Sequence, residues 1–118
     1  MGLLSGDGRL PCLAQRPFRV TFVGMIWRWV EMPAHADKVP LLQEKLLAQA
    51  PHTRNFPGCL HLQLFYHPDG PNFYSLSQWE SLEALEKYRA SQLFRTFWGA
   101  IRPYFRAQPR AHTLYTLP

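Results

Sequence analysis

The chain has 118 residues and a net charge of +5, from 13 Lys and Arg against 8 Asp and Glu. That length fits one domain of ordinary size, and 47% hydrophobic with 14% aromatic residues excludes a disordered chain. Two cysteines, Cys12 and Cys59, are too few for a disulfide framework and suit a reducing, cytoplasmic setting.

Residues 1–17 are rich in Gly, Pro and Arg, have no period, and read as a flexible or loosely attached tail. They lack the basic and apolar regions of a signal peptide. A single domain is expected over 18–118, with Met25 an alternative natural start. The longest apolar stretch, Phe18–Val30, is broken by Arg19 and Arg28 and falls short of the ~20 residues that cross a bilayer. A soluble protein without a membrane partner is expected.

From Met25 to Glu31 the residues are β-branched and aromatic, which predicts a strand. Alternation puts Met25, Trp27, Trp29 and Glu31 on one face and Ile26, Arg28 and Val30 on the other. Pro33 ends the strand, Asp37 is the expected N-cap, and Pro40 fits a first helical turn. Val39, Leu42, Leu46, Leu47 and Ala50 form the apolar stripe of a helix that Pro51 and the Asn55–Gly58 turn should stop.

Residues 59–66 alternate strictly, with Leu60, Leu62, Leu64 and Tyr66 sharing a face. The turn His67-Pro68-Asp69-Gly70-Pro71 leads into a second strand, Asn72–Trp79, and the short gap makes the pair antiparallel. Ser81 caps a helix holding Leu82, Leu85 and Tyr88. Ser91 caps a further turn or two, with Leu93, Phe94, Phe97, Trp98 and Ile101 as its apolar side. A last strand covers 112–117. The order β-α-β-β-α-β is the ferredoxin-like α+β arrangement, one four-stranded antiparallel sheet. Helices cover one face of such a sheet, yet the middle strands are apolar on both, so a second copy packing sheet to sheet is expected.

Three motifs in register with that topology, Phe56-Pro57-Gly58-Cys59-Leu60, Trp79-Glu80-Ser81 at the end of the third strand, and Ser91-Gln92-Leu93-Phe94, resemble the antibiotic biosynthesis monooxygenase family. The resemblance implies a homodimeric α+β barrel. It also implies a small oxygenase acting on polyketide-type aromatics or quinols with molecular oxygen and without metal or flavin. A haem-degrading branch uses an Asn on the first strand, the Trp ending the third, and a His on the last helix. Trp79 matches the second, Trp27 stands at about the Asn position, and Trp98 stands where the axial His would be, which disfavours haem degradation.

The expected substrate slot is lined by Trp27, Trp29, Phe73, Ser75, Ser77, Trp79, Phe94 and Trp98, an apolar set suited to stacking a flat ring. The substrate itself would supply electrons as a carbanion or phenolate, so a base is required, and His61 on the strand face opposite Leu60, Leu62 and Leu64 is the first choice. His35 and His112 are weaker. No metal-ligand spacing or phosphate-cradling glycine loop occurs, so no cofactor is expected. Two other readings compete. One is a barrel that binds a hydrophobic small molecule or regulates a partner without catalysis. The other is an RNA-binding module of the same β-α-β-β-α-β order. Against the latter, Asn72–Trp79 lacks basic residues and glycines, and Arg95, Arg102, Arg106 and Arg110 lie off the sheet, reading as a solvated basic surface. Nucleic acid is therefore not expected as a partner.

Overall fold

The computed structural model describes residues 25–117, so the expectations for the tail, for Phe18–Gly24 and for Cys12 lie outside the described residues. Strand β1 (Ile26–Pro33) is followed by a short 3-10 turn (Ala36–Lys38) and helix α1 (Val39–Arg54). Strands β2 (Cys59–His67) and β3 (Asn72–Trp79) form the hairpin. Helices α2 (Leu82–Ala90) and α3 (Gln92–Ile101), a second 3-10 turn (Arg102–Tyr104) and strand β4 (Arg110–Tyr115) complete the domain. The sheet order is β2-β3-β1-β4, antiparallel throughout, which is the expected α+β ferredoxin-like topology. No helix among the described residues is long and apolar enough to cross a membrane.

Helix α1 departs from expectation at both ends. Asp37 lies in the 3-10 turn and makes no capping bond, because the α-helix starts two residues later with Pro40 in its first turn. Pro51 does not stop it either. Leu47 and Pro51 are both exposed, so the carbonyl that Pro51 cannot satisfy lies on the solvent side. The buried stripe is Leu42, Leu46, Ala50 and Thr53, without Leu47. The serine caps hold: Ser81 Oγ accepts from Ala84 N and Ser91 Oγ from Phe94 N, each at 3.1 Å. What Ser91 caps is a full ten-residue helix, so the order becomes β-α-β-β-α-α-β. In α2 it is Ala84, Leu85 and Tyr88 that are buried, while Leu82 is exposed.

In β2 the expected row fails at Leu60. A bulge between Cys59 and His61 pairs Cys59 with Trp79 and His61 with Gln78, which leaves Leu60 unpaired and exposed. Cys59 therefore takes the helix-side place. Strand β4 begins two residues earlier than expected, at Arg110. Arg106 is no free surface charge. It donates from Nη1 to the carbonyls of Ala34 (2.9 Å) and Pro71 (2.6 Å) and from Nη2 to Asn72 Oδ1 (3.0 Å), tying the end of β1 to the hairpin turn.

All three helices lie on one side of the sheet. Two core clusters result: Ile26, Trp79, Ala84, Leu85 and Tyr88 at one end, and Met32, Ala34, Leu42, Leu46, Phe73 and Ile101 at the other.

Candidate functional site

Sheet register explains why a gap separates these clusters. On the helix side, one row is Cys59, Trp79 and Ile26, and it belongs to the first cluster. The row with Phe73 and Met32 belongs to the second. Between them run two rows of mixed character: Leu62, Ser77, Arg28 and Thr113, then Leu64, Ser75, Val30 and Ala111. Ser75, Ser77 and Ala111 are too short to fill the space beneath the helices. A cavity of about 400 Å³ remains there, within the usual range of small-molecule sites.

Its wall is a run of aromatic rings. Trp79 contacts Tyr88 with centroids 5.0 Å apart, Tyr88 meets Phe94 edge to face at 5.2 Å, and Phe94 stacks on Trp98 at 5.6 Å and 17°. Trp79, fully buried, donates its indole N–H to Ser77 Oγ at 2.9 Å. From α1, Thr53 Oγ1 shares a 2.9 Å hydrogen bond with Tyr88 Oη. Gln49 also lines the cavity, and its amide Nε2 is buried with no hydrogen-bond partner, a condition that costs about 1–3 kcal/mol unless a ligand or water relieves it. This amide sits close enough to the Tyr88 phenol to affect its ionisation without closing a hydrogen bond of good geometry.

The charge in the cavity is of one sign. Arg28, Arg89 and Arg102 line it, and among the described residues no Asp or Glu does. Arg89 is paired with Glu86 at 3.4 Å, whereas Arg28 bonds Thr113 Oγ1 at 2.7 Å. Burial lowers the affinity of the Arg28 guanidinium for its proton, the like charge of Arg89 lowers it further, and Glu86 opposes.

Burial pushes the Tyr88 phenol above its usual value of 10, against the bond from Thr53, and likewise pushes the Cys59 thiol above 9. Both groups then keep their protons in the folded chain at pH values where the unfolded chain loses them. Folding stability should fall as pH rises from about 9, more steeply from about 10, until the folded-state values are reached. Urea unfolding from pH 8 to 11 measures this. Cys59→Ala should remove the first part of the slope and Tyr88→Phe the second; an unchanged slope in Tyr88→Phe would contradict the assignment.

Of the residues expected in the slot, Ser75, Ser77, Trp79, Phe94 and Trp98 line the cavity together, and Phe73 lies beyond its far end, buried in the second cluster. Trp27, Trp29 and His61 are not brought to it. They occupy the opposite face of the sheet, where His61 pairs with Gln78, Gln78 with Trp27, and Trp29 stacks on Tyr74 at 5.3 Å. The reason is strand parity: Trp27 and Trp29 alternate with Arg28, and it is Arg28 that points to the helices. The residue facing the cavity near the position of the haem branch's Asn is thus Arg28, not Trp27. His61, half a pleat from Leu62, is exposed on the far side. Among the described residues no three His, Cys, Asp or Glu side chains gather. Sequence reasoning missed Arg28, Gln49 and Thr53 as lining residues; for Arg28 the signal was its shared parity with Ile26 and Val30.

The sequence model of the family described as antibiotic biosynthesis monooxygenase matches residues 25–99. No curated protein matches the chain in sequence. Solved structures do share its fold. A candidate antibiotic biosynthesis monooxygenase from Caulobacter crescentus superposes with a TM-score of 0.76 at 23% identity, covering 82% of this chain and 93% of that one. A Pseudomonas aeruginosa protein gives 0.73 at 22% identity, over 82% and 98%. A Mycobacterium tuberculosis protein gives 0.74 at 19% identity, over 80% and 96%. At these identities the likeness is one of fold.

Proposed function

The chain belongs to the antibiotic biosynthesis monooxygenase family, and from that membership we propose that it is a cofactor-independent monooxygenase acting on a small aromatic, polyketide-like or quinol substrate as a homodimer. The observation that carries this reading is the cavity of about 400 Å³ left open between two packed clusters and walled by Trp79, Tyr88, Phe94 and Trp98. A flat ring entering it would gain contact with the half-buried rings of Phe94 and Trp98, backed by Tyr88 and Trp79, and lose its water.

For an anthrone-type substrate the chemistry balances without a co-reactant. The ring CH₂ loses one proton, and the resulting carbanion gives an electron to dioxygen. The two radicals combine into a C–O bond, and loss of the second proton with cleavage of O–O leaves a ketone and water. Carbon loses four electrons and dioxygen gains four. The protein's part is to bind the ionised substrate, hold it against the aromatic wall and keep bulk water out. Among the described residues no His, Asp, Glu, Lys or Cys lines the cavity, so none of them serves this step as a conventional base, and His61 has no part in it.

That same lack of a base favours a second reading, a barrel that binds such a molecule without oxidising it. Oxygen uptake by metal-free and flavin-free protein over a panel of anthrones and quinols separates the two. The oxygenase should consume one dioxygen per ketone formed, and Ser75→Phe, which fills the cavity floor, should abolish uptake. Ligand binding with no uptake over the whole panel would overturn the oxygenase reading in favour of the binding one.

A further inference from the structure

We propose that the cavity selects ligands carrying an anionic oxygen, a carboxylate or an ionised enol or phenol on an apolar ring body, and that Arg28 receives that oxygen. The inference rests on the cavity being the ligand site proposed above, but not on the oxidation. Three observations carry it. Arg28 stands at mid-sheet on the cavity floor, flanked by Ser77 on β3 and Thr113 on β4. Its one hydrogen bond to a described residue goes to the neutral Thr113 hydroxyl at 2.7 Å, and no ion pair to Arg28 occurs among the described residues. A guanidinium has five N–H donors in a planar fork that matches a carboxylate, and among the described residues only the bond to Thr113 draws on them.

The second observation is the sign of the lining. Arg89 and Arg102 add to Arg28, and no carboxylate among the described residues lines the cavity; Glu86, the acidic side chain near Arg28, is engaged by Arg89. A neutral ligand would leave like charges facing one another in a half-dry space, whereas an anion relieves them. The third is Gln49 Nε2, a buried donor on the same cavity that closes no hydrogen bond of good geometry among the described residues, although the Tyr88 phenol is near. Arg28 and Gln49 both offer donors, and an oxygen acceptor answers them. The aromatic wall opposite sets the rest of the ligand as a flat apolar body. Held this way, an acidic substrate is bound already ionised, which is how a cavity without a base could still serve carbanion or phenolate chemistry.

The test compares 2-naphthoate with 2-naphthamide, equal in shape and different in charge, by isothermal titration calorimetry. The unmodified protein should bind the acid at least about tenfold tighter than the amide, a difference of about 1.4 kcal/mol. Arg28→Gln should bring the ratio close to one, weakening the acid far more than the amide, and Arg28→Lys should keep part of the preference. An unchanged far-UV spectrum and melting temperature certify that Arg28→Gln is folded. Equal affinity for the two probes in the unmodified protein, or a preference that survives Arg28→Gln, would overturn the inference and leave the cavity as a ligand site. If neither probe binds, or if Ser75→Phe binds them undiminished, the cavity reading fails and the inference with it.

Discussion

Trp29→Glu should convert the protein from a dimer to a monomer. Trp29 lies at the centre of the face that carries no helix, on the central strand β1, stacked on Tyr74 at 5.3 Å and tilted against Phe65 at 6.1 Å. Phe65 and Leu114 on the same face are 43% and 47% exposed in the single chain. Contiguous apolar surface of this kind on a sheet calls for a cover, and a second copy of the same face gives an isologous layer with sheets ~10 Å apart. A carboxylate placed unpaired in that layer costs about 3–5 kcal/mol, and twofold symmetry introduces it twice, so the dimer Kd should rise by at least ~10³. Glu31 already holds Trp29 Nε1 at 3.3 Å, so the new charge also meets a like neighbour. Sedimentation velocity at micromolar concentration should give twice the chain mass for the unmodified protein and the chain mass for the variant. The far-UV spectrum should be unchanged, because Trp29 takes no part in either core cluster. A monomeric unmodified protein, or a variant that stays dimeric, would remove the sheet face as the interface.

The same face shows what was legible beforehand. The period of two in β1 gave both faces of that strand correctly, with Arg28 on the helix side and Trp27 and Trp29 on the other. It failed on β2 because a bulge has no periodic signal: Leu60 satisfies the alternation in sequence and is expelled by a register shift that only pairing with β3 creates. Pro51 misled for a related reason. A proline is costly where its orphaned carbonyl is buried, and sequence does not say that this side of α1 meets water. The slot was misdrawn by gathering tryptophans by kind. Parity alone would have put Arg28 in it and left Trp27 and Trp29 out, and Ser75 and Ser77, two short side chains on one face of β3, marked where the core would not close. Nothing local foretold Gln49, whose place on the cavity depends on how α1 crosses the sheet, or Arg106, whose three acceptors come from two segments distant in sequence, Ala34 and Pro71–Asn72.

Gly58→Ala should lower stability by about 2–4 kcal/mol, the sum of a strained backbone and an overpacked contact. Gly58 has φ +92°, in the left-handed range that side chains resist, and a Cβ there would run into the Cβ of Ala84 on α2 and crowd the Glu80 side chain. Its carbonyl accepts from Glu80 N at 2.9 Å, which fixes the start of α2 against the turn. Close approach at this point seats Leu85 and Tyr88 on Trp79, so the glycine sets the position of the aromatic wall. Gly70 offers the comparison: its φ is +125°, but a Cβ there meets nothing nearer than Asn72 Nδ2 at 3.5 Å. Gly70→Ala should therefore cost only the conformational part, about 1 kcal/mol. Ala84→Gly combined with Gly58→Ala removes the collision and keeps the strain, so the double variant should recover roughly half of the loss less the ~1 kcal/mol that a helical glycine costs. Thermal unfolding reads all three, with Gly58→Ala melting about 10–20 °C below the unmodified protein. Equal losses for Gly58→Ala and Gly70→Ala would show that the contact with Ala84 contributes nothing. A double variant no more stable than Gly58→Ala, beyond the ~1 kcal/mol that a helical glycine costs, would say the same.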